Sequence, residues 1–538
     1  MEIVRIGGAS TEQAPADAIG AKAANLARMA ALGLPVPPAF VLPIGLCADI
    51  NNNAAHAEES LRDGLKQGIA FLESATGKSF GDHRTPLLVS VRSGAARSMP
   101  GMLDTVLDVG CTSIAVRGLI RAAGRPRLAW DCRRRLIESF AETVLGIDPA
   151  CFAAPLAALL AKEAVASDRE LDSEALERLA ADEQALLETD GRWLEDAERQ
   201  LDAAARAVFR SWMSERAQTY RRLQGLDHLR GTAVTVQAMV FGNGGLSSGA
   251  GVAFSRDPST GAARPMIDLV LDAQGEDIVS GRRTPDREEA IARALPKLPA
   301  ELEETLRRLE REFRDVQDVE FTVEDGVLWV LQTRSAKRTP RAALRIAIDL
   351  AHEGLISREQ ALQQIAEIDL ASLVEVKLVA ADRPAATGIG ASGGIAVGRA
   401  AFNSDAAKRL GTSGDPVILM RPETSTADVA GFAVAAGIVT AIGARTAHAA
   451  LVARQMGKPC IVGCALMTID EAGSAKIGGT EISEGDWVTI DGDSGNLYLG
   501  CLETATTRPE AELAEIARWK AESCEARNST PARTATTR

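Results

Sequence analysis

Between Thr440 and Gly463 the chain reads TAIGARTAHAALVARQMGKPCIVG, an order of residues that leaves little choice of local structure. The β-branched run Gly437 to Thr440 predicts a strand, and the small residues Gly443-Ala444-Arg445 predict a turn. Thr446 has the chemistry of an N-cap, and Ala447 to Met456 is rich in strong helix formers. Gly457-Lys458-Pro459 stops that helix, and Cys460-Ile461-Val462 reads as a buried strand. His448, one of five histidines, therefore falls in the first turn of a helix. Backbone N–H groups without helical partners and the helix dipole favour negative charge there, so a phosphoryl group on the imidazole would be held at little extra cost. A buried, hydrogen-bonded core histidine satisfies the same pattern, and the stretch alone leaves both readings open.

A chain of 538 residues is too long for one hydrophobic core, which predicts three or four domains of mixed α/β and α+β character. The net charge of −13 argues against nucleic acid as a main partner. Eight cysteines without a metal-like CxxC pair suit a reducing compartment. No signal peptide opens the sequence, and the longest apolar run, Gly431 to Ala444, is too short and too Gly-rich for a membrane span. The expectation is a soluble cytoplasmic enzyme with no membrane partner.

The N-terminus reads strand, turn, helix: Ile3 to Ile6, then Gly20 to Met29 with Lys22 near the helix start, then the extended piece Leu34 to Val41. An apolar strand from Leu87 delivers Arg92 to the small-residue turn Ser93-Gly94-Ala95-Ala96, followed by Ser98-Met99-Pro100-Gly101-Met102-Leu103-Asp104-Thr105. A rigid fork of donors beside approachable backbone suits a polyphosphate. Trp130 to Ile137 holds three consecutive arginines, ending in Arg135, and 151–201 has helical periodicity with little Gly. Residues 206–230 predict a further helix, leading into a strand from Thr232 to Val240. The Gly/Ser run Gly242 to Arg256, with Gly249 and Gly251, predicts a loop able to place N–H groups on phosphate oxygens. In Asp318 to Val323 alternation puts Asp318 and Glu320 on one face. The Asp325-Gly326 turn then returns Trp329 to Arg334 antiparallel, bringing Gln332 beside Glu320 with Arg334 close by; oxygen ligands from Glu and Gln suit Mg²⁺. Residues 340–380 predict connecting helices, Pro384 to Ser392 a hinge linker, and Asp486 to Leu499 the close of a small β-rich domain. One amphipathic helix, about Arg508 to Glu525, precedes a polar tail.

These motifs resemble those of the pyruvate phosphate dikinase family. The histidine segment is similar to GGxTSHxAxxARxxGxPxxxG, with Ala444 in place of the second Gly and Ala447 in place of Ser. Resemblance also covers Gly20 to Val41, Ser90 to Thr105, Trp130 to Ile137, Gly242 to Gly261, Asp272 to Gly281, Asp318 to Arg334, Ile346 to Leu362 and Val417 to Ser425. A conservative change stands at Asp268, where the family has Glu.

The resemblance implies an ATP-grasp nucleotide domain with a helical insertion, a helical linker and a β-rich swivelling phosphohistidine domain. The implied boundaries are 1–110 and 206–339 for the two grasp subdomains, 111–205 for the insertion, 340–385 for the linker, 386–502 for the histidine domain and 503–538 for the C-terminal helix and tail. It implies catalytic roles for His448, Arg334 and Arg92, nucleotide contacts from Lys22, Arg92, Met102, Arg135, Gly249, Gly251, Asp318 and Arg334, metal ligation by Glu320 and Gln332, and an approach of Arg421 to the phosphohistidine. It implies Mg²⁺ as cofactor, with ATP and inorganic phosphate as substrates. Nothing after Gly500 resembles the family's C-terminal barrel for phosphoenolpyruvate or pyruvate, and that barrel is expected to be missing from this protein. The expectation is therefore a half enzyme that phosphorylates His448, releases AMP and passes the phosphate to pyruvate or another acceptor on a separate barrel protein, with a homodimer as the oligomer allowed for. Two other readings are a small-molecule kinase of the rifamycin phosphotransferase type, which needs an acceptor domain between grasp and histidine domains, and a non-catalytic regulatory paralogue supported by Ala444 and Ala447.

Overall fold

A computed structural model describes residues 2–8, 11–97, 99, 102–188, 193–279, 283–380, 383–423, 428–470 and 474–528. Ser98, Pro100, Gly101, Ser280, Gly281, Thr424, Ser425 and the tail from 529, all named above, lie outside the described residues. The chain divides into two compact units, Met1–Gly244 with Val323–Thr333, and Gly245–Thr322 with Arg334–Arg538.

The first unit is built on a five-stranded sheet in the order Val4–Ile6, Ala39–Leu42, Thr232–Ala238, Val89–Ala95, Thr105–Val109, with every neighbouring pair antiparallel. Period-2 alternation sorts its side chains. Phe40, Leu42, Val89, Val91, Val106, Val234 and Val236 join one buried cluster with Leu61, Leu65, Leu136, Phe140, Val208 and Phe209 from the helices Ala55–Thr76, Pro126–Phe140 and Ala197–Ser211. Each such large apolar side chain contributes about 1.5–3 kcal/mol on burial. The residues between them, Arg92, Thr235 and Gln237, take the opposite face, and Thr235 stands opposite Arg92 in the register. Helix Ala21–Ala31 packs on this unit through Ala23, Leu26, Ala27 and Met29. Its N-terminal residue Gly20 has φ +83°, and a Cβ there would collide with the Gly94 carbonyl, so only glycine lets the helix start this close to the strand.

Strands Gly249–Phe254 and Met266–Leu271 of the second unit pair with each other and continue a four-stranded sheet whose other members, Gln317–Glu324 and Val327–Ser335, belong partly to each unit. Asp325 (φ 50°) and Gly326 (φ 79°) both adopt the left-handed region that a tight hairpin turn demands. Helices Pro340–His352, capped by Thr339, and Arg358–Gln364, opened by a Ser357/Gln360 capping box, follow. The C-terminal helix Glu510–Asn528 packs on this region through buried Ile516 and Trp519. An eight-stranded sheet then runs in the order Ala386–Thr387, Asn496–Leu499, Trp487–Asp491, Ile395–Ala401, Val417–Arg421, Gly437–Thr440, Cys460–Val462, Ile389–Ser392. Four central strands are parallel neighbours, and the helix His448–Met456 is the crossover between Gly437–Thr440 and Cys460–Val462. The chain enters this region through Glu375–Leu378 and leaves it through Thr504–Thr507, and those two strands pair antiparallel.

Several expectations are corrected. The histidine helix begins at His448 rather than Ala447, with Ala447 at the cap; a tight turn, Ala447 N–H to Ala444 carbonyl at 2.9 Å, uses up Thr446, whose buried hydroxyl has no hydrogen-bond partner among the described residues. Pro384 to Ser392 is not a free linker but supplies two strands of the large sheet, because Gly390 permits backbone contact: a Cβ there would lie 2.5 Å from the Gly492 carbonyl. Residues 340–380 are helical only to Gln364. The helix expected over 206–230 is two, Ala197–Ser211 and Glu215–Leu223, because Ser214 caps a new start. Gly249 and Gly251 sit in a paired strand, not in the loop before it. Among the described residues, no helix is long and apolar enough to cross a membrane.

Candidate functional site

In the first unit a cleft is lined by Lys22, Arg92, Ser93, Thr235, Gln237 and Gln332, among others. Three elements supply these groups: the first turn of helix Ala21–Ala31, one face of the five-stranded sheet, and strand Val327–Ser335. Asn25 ties the helix to that strand by donating to the Thr333 carbonyl at 3.0 Å. Among the described residues, Lys22 and Arg92 are the only charged ones lining the cleft, and both are cationic, so the cleft suits a polyanion. Met102 packs at the edge of the unit's core.

Arg135 lies in helix Pro126–Phe140. It is 7 % exposed and its Nε donates to Asp131 at 3.0 Å. Asp131 also accepts from Arg134 at 3.1 Å and from Asn243 at 2.7 Å. Burial alone would raise the Asp131 carboxyl; Arg135 and Arg134 outweigh it and hold it well below the usual carboxylate range. Arg134 in turn reaches Glu138 at 2.7 Å.

In the second unit Asp318, Glu320 and Arg334 form an electrostatic group. Arg334 Nε donates to Asp318 at 2.8 Å, and burial raises the Asp318 carboxyl against that pull. Asp318 Oδ1 is buried without a hydrogen-bond partner among the described residues. Glu320 acts on both neighbours, raising Asp318 and Arg334 alike. Asp318 and Glu320 share a strand face by alternation, as do Gln332 and Arg334, and the Asp318–Arg334 ion pair puts those faces on one side of the hairpin. Among the described residues, no group of three or more His, Cys, Asp or Glu is placed to hold a metal ion, so a divalent cation would rest on few protein oxygens, as Mg²⁺ does when phosphates and water complete its shell. Gly249 and Gly251 are explained by packing: a Cβ on Gly249 would lie 2.7 Å from the Val270 carbonyl, and one on Gly251 2.7 Å from the Asp268 carbonyl.

His448 opens its helix at the carboxyl end of strand Gly437–Thr440, the position where open parallel sheets bind ligands. The turn before it is fixed from outside the helix. Asp268 accepts from the Arg445 backbone N–H at 2.8 Å and from the Arg445 guanidinium. Beneath it, fully buried Arg454 donates to the Ala391 carbonyl at 2.9 Å and the Arg445 carbonyl at 2.5 Å, and its guanidinium lies 5.3 Å from the Phe254 ring centroid. Burial pulls its ordinary value down to about 10. Arg421 is held by the Phe402 carbonyl at 3.1 Å and by Asp428 at 3.4 Å. Sequence reasoning named Asp268 without a role and passed over Thr235, Asp131 and Arg454. The i, i+4 spacing of Asp131 and Arg135 was the one local signal for any of them.

Residues 53–298 match the family profile described as pyruvate phosphate dikinase, AMP/ATP-binding domain, and residues 413–495 match that of the PEP-utilising enzyme mobile domain. The pyruvate, phosphate dikinase of Rhizobium meliloti is 42% identical over 523 residues, 94% of this chain and 58% of the relative. That of Clostridium symbiosum is 40% identical over 509 residues (93% and 58%), and pyruvate, phosphate dikinase 2 of Zea mays 39% over 508 residues (93% and 57%). The chain thus spans somewhat over half the length of these curated relatives. It is similar to the pyruvate phosphate dikinases over nearly all of its own length, and it carries their AMP/ATP-binding domain and the PEP-utilising mobile domain, in that order.

Proposed function

We propose that this chain carries the nucleotide side of a pyruvate phosphate dikinase-like phosphotransferase, with an ATP-grasp cleft and a swivelling histidine domain. The carrying observation is the convergence of Lys22, Arg92 and Gln332 on one cleft from three separate elements. ATP is the bound nucleotide. A nitrogen of the His448 imidazole forms a bond to the β-phosphorus as the bridging oxygen leaves with AMP, and inorganic phosphate then accepts the terminal phosphoryl group, leaving phosphohistidine. Lys22 and Arg92 hold the polyphosphate, and Arg334, kept in place by Asp318, neutralises charge that develops on the transferring group. Mg²⁺, when held by the oxygens of Glu320 and Gln332, supplies charge neutralisation between neighbouring phosphates. Little covalent chemistry falls to the protein beyond His448, so positioning carries most of the rate. The phosphorylated domain then moves on its paired strands to deliver the group to pyruvate or another acceptor.

Mass spectrometry of the purified chain with ATP, Mg²⁺ and phosphate tests this. The expected result is an acid-labile phosphoryl adduct and AMP release by wild type, both absent in His448→Ala. A folded wild-type chain that never gains the adduct overturns the proposal.

A further inference from the structure

The strand Thr232–Ala238 contains two threonines on which the fold makes different demands. Thr232 is fully buried and satisfied: its hydroxyl accepts from the Gly94 N–H at 3.0 Å and donates to the Ala233 carbonyl at 3.0 Å. Thr235 is 6 % exposed, and its hydroxyl oxygen is shielded from water with no hydrogen-bond partner among the described residues. Its neighbours Val234 and Val236 face the core, whereas Thr235 takes the cleft face, directly opposite Arg92. Gln237, on the same face, is already engaged with the Pro37 carbonyl at 3.1 Å.

A β-branched residue is expected in a strand, and valine would supply the same shape without burying an unsatisfied hydroxyl. Burial of a lone donor is unfavourable unless something arrives to accept from it. The charged groups lining the same cleft are Lys22 and Arg92, so what arrives carries negative oxygens. We propose that Thr235 is a further substrate-binding residue whose hydroxyl donates to a phosphate oxygen of the bound nucleoside polyphosphate, beside Arg92. The proposal rests on the cleft being the nucleotide site; it adds a neutral donor that helps to fix one oxygen's direction beside the point charge of Lys22 and the donor fork of Arg92.

The test is isothermal titration of the full chain with a non-hydrolysable ATP analogue and Mg²⁺, and with inorganic tripolyphosphate and Mg²⁺. Thr235→Val is expected to weaken both about tenfold, the usual scale of one lost hydrogen bond to a charged group. Thr235→Ser is expected to stay within about twofold, and Thr235→Val without ligand to melt no lower than wild type. If wild type binds the analogue and Thr235→Val binds it equally well, the role of Thr235 is overturned while the nucleotide site stands. If the valine variant loses affinity for the analogue but not for tripolyphosphate, the hydroxyl serves the nucleoside, and the assignment to phosphate is overturned. If wild type binds neither ligand, the reading of the cleft falls first and takes Thr235 with it.

Discussion

The cleft of the first unit and the turn before His448 in the second both carry cations, and they place them differently. In the cleft, Lys22 and Arg92 line one volume with Thr235 and Gln332. Around the histidine turn the cations are consumed internally. Arg454 is fully buried against two carbonyls, Arg445 is held by Asp268, and Lys458 donates to the carbonyls of Phe432, Ala433 and Ala435 at the end of helix Val429–Val434. A charge that lines a cleft can meet a ligand; a charge buried against carbonyls serves the fold.

The comparison breaks most sharply at the cleft. Lys22→Ala or Arg92→Ala is expected to reduce ATP-dependent AMP release by about 100-fold, roughly 3 kcal/mol of transition-state stabilisation, while the melting temperature moves little. Loss of fold instead of rate would place both residues with the structural cations. The converse holds for Arg454. Replacing it with Leu leaves the Ala391 and Arg445 carbonyls without their donor, at a cost of about 3 kcal/mol read in urea unfolding; Arg454→Lys is expected to lose less. An Arg454→Leu variant of wild-type stability would show that this buried cation is dispensable.

The smallest effect concerns a buried carboxyl away from both regions. Glu183, in helix Ser173–Glu188, is fully buried, and burial, with Glu138 beside it, pushes its carboxyl up to about 9. Between its ordinary value of 4.5 and about 9 the folded chain binds a proton that the unfolded chain has released, so stability falls as pH rises through that window. Glu183→Gln is expected to flatten the slope, matching wild type near pH 4.5 and exceeding it by about 2 kcal/mol at pH 6, by chemical denaturation at both pH values. Parallel slopes would mean that Glu183 is ionised in the fold.

What could be read from the sequence was local. The Asp325-Gly326 turn shows because both residues tolerate positive φ, and the stop at Gly457 because its φ of 64° favours glycine. Apolar strands such as Cys460–Val462 show by composition. What stayed hidden depends on partners far along the chain. Asp268 and Arg445 are separated by 177 positions, and nothing near either names the other. Pro384 to Ser392 has the composition of a linker, yet its glycines serve close strand contact rather than freedom. Three consecutive arginines do not reveal that Arg135 is already held by Asp131. Lys22, Arg92 and Gln332 were named one by one, but only the fold assembles them around one volume.

The antiparallel pairing of Glu375–Leu378 with Thr504–Thr507 has one more consequence. Everything between those strands leaves and rejoins the chain at a single doorway, with its two ends side by side. Such a module is portable: 379–503 could be cut out and its ends bridged by a few residues without disturbing its interior order, and evolution could graft it between other helices as readily as an experimenter.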